Sequence, residues 1–171
     1  MEEKTIFISH SSKDLWLVNP FVEKILNLGL EIPRDKIFYT SDKDTGIRSG
    51  EDFKKVILQN LKNAKAVIQI ITENYKQSEI CLNEMGAAWV LTENVIPFIL
   101  DPIRFETVGF IHNTTQLLKI NVEADLYQFQ DDHWELNGGK KIKQSNYYKQ
   151  VREFLELIKN GSFSPMFGRN W

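Results

Sequence analysis

The stretch SEICLNEMGAAWVL, residues 78 to 91, carries a carboxylate in the middle of an apolar run, Glu84. Wound as a helix, it places Ile80, Cys81, Met85 and Ala88 at i−4, i−3, i+1 and i+4 from that acid, so Glu84 shares its face with apolar side chains. Burying an unpaired charge is costly, which leaves three options: a structural hydrogen bond, a raised pKa, or a ligand that uses the group. Two polar stretches can join it. SHSSKD, residues 9 to 14, offers the hydroxyls of Ser9, Ser11 and Ser12, the imidazole of His10 and backbone donors near a helix start; this suits a phosphate, and equally a plain capping turn. SDKDTGIRSGEDF, residues 41 to 53, sets Arg48 between Gly46 and Gly50, ready to pair with an anion or a partner's acid, or simply solvated. Neither glycine spacing matches a Walker loop or a dinucleotide fingerprint, so neither an NTPase nor a Rossmann dehydrogenase is indicated.

Other chemistry-bearing residues carry less. Cys81 is the only cysteine and lies in an apolar setting without a histidine nearby in sequence, which fits a small core residue better than a nucleophile. Three scattered histidines give no zinc-type spacing. Asp131, Asp132, His133 and Glu135 fall in a predicted hairpin, where alternate residues point to opposite faces and cannot converge on a metal. Trp16 and Trp89 read as core aromatics, with the lining of a nucleobase pocket as the alternative.

The elements that must position these residues follow from periodicity. TIFIS (5 to 9), KIFYTS (36 to 41), AVIQIIT (66 to 72) and VIPFIL (95 to 100) are β-branched apolar runs of the kind found in strands buried on both faces. Between them lie helical patterns. NPFVEKILNLGL aligns Phe21, Ile25 and Leu28, with Asn19 and Pro20 at the start and Gly29 as a stop; SGEDFKKVILQNLKNAK aligns Phe53, Val56, Ile57 and Leu61 after Ser49 as a cap. A last helix over 146 to 160 buries Tyr147, Val151, Phe154, Leu155 and Ile158. Alternating strands and helices predict an α/β fold, a flavodoxin-like doubly wound parallel sheet of about five strands flanked by helices. In such a sheet ligands bind beyond the carboxyl ends of the strands, which is where SHSSKD, the 41 to 53 loop and the start of the Glu84 helix fall. Residues 101 to 145 read less clearly, with a short helix in RFETVGFIHNTTQLL and a hairpin in YQFQDDHWELNGGKKIK. The whole is expected to be one domain over 1–160, followed by a tail, 161–171, with aromatics at Phe163, Phe167 and Trp171.

Composition narrows the function classes. With 171 residues, 42% hydrophobic and 26% charged, the chain is long enough to bury an ordinary core. A net charge of −2 and no long basic run give no footprint for nucleic acid or an anionic membrane. No internal disulfide is possible, the N-terminus MEEKTIFISHSSKD does not read as a signal peptide, and MGAAWVLTENVIPFIL is interrupted by Thr92, Glu93 and Asn94. The expectation is a cytoplasmic protein with neither nucleic acid nor membrane as partner.

Taken together, these motifs resemble a TIR domain, the Toll/interleukin-1 receptor type. The resemblance rests on IFISHSSKD as first strand and loop, FYTSDKDTGIRSGEDF as second strand and BB loop, AVIQIIT as third strand, and SEICLNEMGAAW as the helix with a C-x-x-E element. The motifs follow in family order from residue 5 to about 100; 101–145 is a poorly matched insertion. The pattern is most similar to stand-alone bacterial NAD-cleaving TIR proteins, as in Thoeris-like anti-phage defence.

That resemblance implies an NAD+ nucleosidase or ADP-ribosyl cyclase that breaks the nicotinamide–ribose bond, releasing ADP-ribose or a cyclic or conjugated product. It assigns the essential acid to Glu84 and lines the NAD+ pocket with His10, Ser11, Ser12 and Cys81, and with Asp42, Arg48 and Gly50 of the BB loop. NAD+ enters as substrate; no cofactor and no metal is implied. Partners would be other TIR protomers, in a homo-oligomer or filament, and a separate effector that senses the nucleotide product. Two departures stand out: several NAD-cleaving members carry Trp where this chain has Ile80, and basic residues that some place in the first loop are replaced by Ser11 and Ser12. The alternative within the family is a non-enzymatic module that signals by homotypic assembly or mimics host adaptors. A nucleoside deoxyribosyltransferase-like enzyme, which shares the layout and a catalytic glutamate, is a third reading.

Overall fold

The computed structural model describes residues 6–40, 52–92, 94–108 and 116–160, the side chains of Phe53, Lys54 and Phe105 excepted. Five parallel strands form one sheet: β1 (Ile6–Ser9), β2 (Ile37–Phe38), β3 (Ala66–Ile71), β4 (Val95–Ile99) and β5 (Leu118–Lys119), in the order β2-β1-β3-β4-β5. This is the doubly wound α/β arrangement expected, and its order reverses between β1 and β3.

Side-chain alternation sorts the core into two layers. Ile6, Ile8, Ile68, Ile70 and Phe98 face one side, against α1 (Leu15–Pro20, continuing to Gly29), α5 (Glu123–Asp132) and α6 (Gln144–Lys159). There Phe21 meets Phe98 and Phe154 edge-on, with ring centroids 5.2 and 5.9 Å apart. Phe7, Val67, Ile71 and Ile99 face the other side, against α2 (Phe53–Asn63), α3 (Glu73–Lys76) and α4 (Glu79–Leu91). Burial on both faces explains why the strands read as continuous apolar runs. Among the described residues no helix is long and apolar enough to cross a membrane.

Several expectations are corrected. The first helix starts at Leu15, ahead of Asn19, and carries Pro20 inside it. Pro20 lacks the N–H that the α-helical ladder needs, and beyond it the chain winds with π-helical bonding over Phe21–Gly29. The wider turn moves the buried face to Phe21, Val22, Ile25, Leu26 and Gly29, and leaves Leu28 41% exposed. Gly29 also has a packing reason: a Cβ there would lie 2.8 Å from the Lys24 carbonyl and 3.0 Å from the Tyr147 ring. The predicted hairpin after residue 126 is instead α5 and a 3-10 turn over Trp134–Asn137. Its buried residues, Leu126, Phe129 and Gln130, have helical spacing, and Gly138 at φ 81° ends the turn rather than reversing a strand. Asp131, Asp132, His133 and Glu135 therefore sit at a helix end; among the described residues no cluster of acids, His and Cys has the geometry of a metal site. Trp16 and Trp89, read as core aromatics, are 42% and 59% exposed. α2 is capped by Asp52, whose carboxylate accepts from the Lys55 N–H at 3.2 Å. The Ser49 cap, Asp42, Arg48, Gly50 and the tail 161–171 lie outside the described residues.

Candidate functional site

Ser78 starts α4: its hydroxyl accepts from the Cys81 N–H at 3.3 Å. The helix then runs over the sheet with Cys81, Glu84, Met85 and Ala88 inward. Of the four neighbours predicted to bury Glu84, three do; Ile80, at i−4, faces solvent.

Glu84 is 6% exposed, and its carboxylate lies over the carboxyl end of β1. The Ser9 hydroxyl donates to Glu84 Oε2 at 2.6 Å. Ser9 Oγ also lies 2.9 Å from the Tyr75 hydroxyl. A serine has one proton to give, and here it goes to the carboxylate, so Tyr75 donates to Ser9 in turn. The result is a relay, Tyr75 to Ser9 to Glu84, from three different elements. Burial pushes Glu84 up from 4.5 to about 7, an effect the Ser9 hydrogen bond partly offsets. Burial also raises Tyr75, which stays neutral.

The loop after β1 closes against the same helix. Cys81 Sγ donates to the His10 carbonyl at 3.3 Å, and burial raises the thiol's pKa. His10 is buried edge-on to Tyr39, with ring centroids 5.5 Å apart, and its Nδ1–H donates to the Ile8 carbonyl at 3.4 Å. Desolvation lowers its pKa, which favours the neutral ring with Nε2 as an acceptor; that atom is buried without a hydrogen-bond partner among the described residues. Ser11 is buried and caps the short 3-10 turn over Ser12–Asp14, while Ser12 is exposed. The structure thus ties the His10 backbone to Cys81 on the helix that carries Glu84, while the His10 ring packs on Tyr39, Ser11 caps the turn and Ser12 faces outward.

The order of strands and the helices on both faces of the sheet agree with the comparison to known proteins. A family model for the TIR domain matches residues 6–136, more than half of the chain. The chain belongs to the TIR domain family. Protein YddK of Bacillus subtilis (strain 168) is 36% identical over 129 residues, which is 75% of this chain and 48% of that protein. The TIR domain therefore spans about half the length of the curated relative it matches. Among solved structures, the TIR domain of the Toll-related receptor TRR-2 from Hydra magnipapillata superposes with a TM-score of 0.55 at 18% identity, covering 86% of this chain and 97% of that one; the likeness is one of fold.

Three further residues of this TIR domain's site are not singled out by the sequence reading. Tyr75 backs the relay. Asp14, almost fully buried, accepts from Thr72 Oγ1 at 2.5 Å and Asn74 Nδ2 at 2.7 Å, stapling the loop after β1 to the start of α3. Thr72 also caps α3, its oxygen accepting from the Tyr75 N–H at 3.1 Å. Thr72→Val is expected to remove both bonds and cost about 2 kcal/mol, read as a lower urea midpoint with an unchanged slope. A cost within a few tenths of a kcal/mol would mean the staple is solvated in the folded state.

Proposed function

We propose that this TIR domain cleaves NAD+ at the nicotinamide–ribose bond. One observation carries the reading: a nearly buried carboxylate, Glu84, held by the Ser9 hydroxyl over the carboxyl end of β1, at the switch point where doubly wound sheets bind ligands. As the bond from C1′ to the pyridinium nitrogen breaks, its electron pair goes to nicotinamide, which leaves neutral. The ribose gains oxocarbenium character. An ionised Glu84 offsets that charge and accepts hydrogen bonds from the ribose hydroxyls through Oε1, which has no partner among the described residues. Water attacking C1′ gives ADP-ribose and releases a proton, and a carboxyl with a pKa of about 7 is suited to take it. Attack by the substrate's own adenine or ribose gives a cyclic isomer instead. The biological reading, a cytoplasmic enzyme of bacterial anti-phage defence whose product activates a separate effector or whose activity depletes NAD+, rests on the motif resemblance.

Purified protein incubated with NAD+, with nicotinamide and nucleotide products quantified by mass spectrometry, tests this. Turnover that Glu84→Gln leaves untouched would sink the assignment.

A second reading, signalling by assembly of TIR protomers, is favoured by the outer face of α4, where Ile80, Leu82, Trp89 and Val90 are exposed, Val90 by 74%. Trp89→Glu is expected to abolish concentration-dependent association in sedimentation velocity. Assembly that persists unchanged removes this face from the interface.

A further inference from the structure

β3 carries a polar residue where its pattern calls for an apolar one. Gln69 interrupts the run AVIQII, is fully buried, and has no hydrogen-bond partner among the described residues at either Nε2 or Oε1. An orphaned buried amide costs stability at both atoms, so its presence needs a reason. Its position supplies one. Ser9 and Gln69 are register partners on adjacent parallel strands, so their side chains leave the sheet on the same face, about 5 Å apart at the backbone. On that face Ile71 packs with Cys81 and Met85 of α4, and Val67 packs with Ala88. Gln69 lies between Ile71 and Val67 on β3, as Glu84 lies between Cys81 and Ala88 on α4. The amide is therefore at the level of the Glu84 carboxylate, beside the serine that already holds it. A glutamine amide also stands about as far above its own Cα as a carboxylate bonded to a serine hydroxyl stands above the serine Cα.

We propose that Gln69 is a positioning residue for Glu84, its amide N–H becoming the second protein donor to the carboxylate when Glu84 ionises. Among the described residues the amide is unengaged and Glu84 has one donor, Ser9. Ionisation draws the amide over, because a donor to the charged form recovers what desolvation removes. Gln69 thus sets how much of Glu84 is ionised near neutral pH and which way it faces. The other titratable groups described on the elements around Glu84 are Tyr75 of α3, Cys81 one turn earlier on α4, and His10 and Asp14 of the loop after β1. Tyr75 and Cys81 are shifted upward and His10 downward, and Asp14 is engaged by Thr72 and Asn74. The inference rests on the proposed role of Glu84 for its catalytic meaning, but not for its physical content.

Gln69→Met keeps the length and removes the donor. Melting temperatures of wild type, Gln69→Met, Glu84→Gln and the double variant are compared from pH 5.5 to 8.5. Loss of the donor raises the folded-state pKa of Glu84, so Gln69→Met is expected to lose stability relative to wild type as pH rises, and the Glu84→Gln background is expected to abolish that pH dependence. An offset between Gln69→Met and wild type that is the same at every pH, as removal of an idle amide would give, overturns the proposal. NAD+ turnover supplies the second readout: the acid limb of the kcat profile is expected to move up by about one pH unit, a roughly tenfold loss at pH 6 that recovers by pH 9, with KM little changed. An acid limb that stays in place overturns it as well. If wild type cleaves no NAD+, the reading of the enzyme fails while the melting series still decides the role of Gln69.

Discussion

Replacing Glu84 by Gln is expected to lower NAD+ cleavage by on the order of 10²- to 10³-fold in kcat, with a small change in KM. The amide fills the same space and its Oε1 can still accept from Ser9, so the fold and the relay from Tyr75 persist; only the negative charge is lost. That charge matters most when positive charge builds on the ribose, which is why the loss falls on kcat. The wild-type rate carries a second signature. Glu84 has a pKa of about 7, so the fraction ionised, and with it kcat/KM, is expected to climb from pH 6 to pH 8 and then level. Nicotinamide release followed across that range, for wild type and variant, measures both. A variant with wild-type turnover, or a flat wild-type profile, would remove Glu84 from the reaction.

The same substitution is expected to stabilise the protein in alkaline buffer. Glu84 ionises near 4.5 when unfolded and near 7 when folded, so between those values the unfolded chain gives up a proton the native state keeps. A folded pKa raised this way makes stability fall as pH rises, by up to about 1.4 kcal/mol per unit, until it levels above pH 7 with a total near 3 kcal/mol. Glu84→Gln has no such proton to lose. The variant should match wild type at pH 4.5 and exceed it by about 3 kcal/mol at pH 8, a rise in melting temperature on the order of 5–10 °C. Denaturant titrations at the two pH values check this. Equal stability at pH 8 would mean that Glu84 is solvated and that its carboxylate carries no cost. A group that destabilises the fold while serving a reaction is the usual form of a stability–activity trade-off.

Much of the fold was legible because its strands announce themselves. Four β-branched runs, buried on both faces, fixed the alternation of strands and helices, whereas β5 is two residues long and offers no periodicity to read. YQFQ alternates as a strand does, and only the helical spacing of Leu126, Phe129 and Gln130 in three dimensions shows why it is α5. Pro20 displaced the first helix in a way that periodicity at 3.6 residues could not anticipate, which misplaced Leu28. At the site, Glu84 was legible from Cys81, Met85 and Ala88, all of which do bury it. Ser9 is legible as a hydroxyl where the first strand meets its loop, but its bond to Glu84 depends on where α4 lies over β1. Tyr75 depends on the same packing. Gln69 did leave a signal, an amide inside an apolar strand, as anomalous there as Glu84 is in its helix; its pairing with Ser9 needed the register of the sheet.

Ser9 and Glu84 are 75 positions apart in the chain, Ser9 and Tyr75 66, and Asp14 and Thr72 58. Contacts of such sequence separation close late, since the loop entropy between them must be met before they contribute. The helix that carries Glu84 can form locally behind its Ser78 cap, but the carboxylate has no serine beneath it until β1 and β3 lie side by side. Whatever Glu84 does is thereby withheld from nascent and half-folded chains, and is switched on by completion of the topology itself.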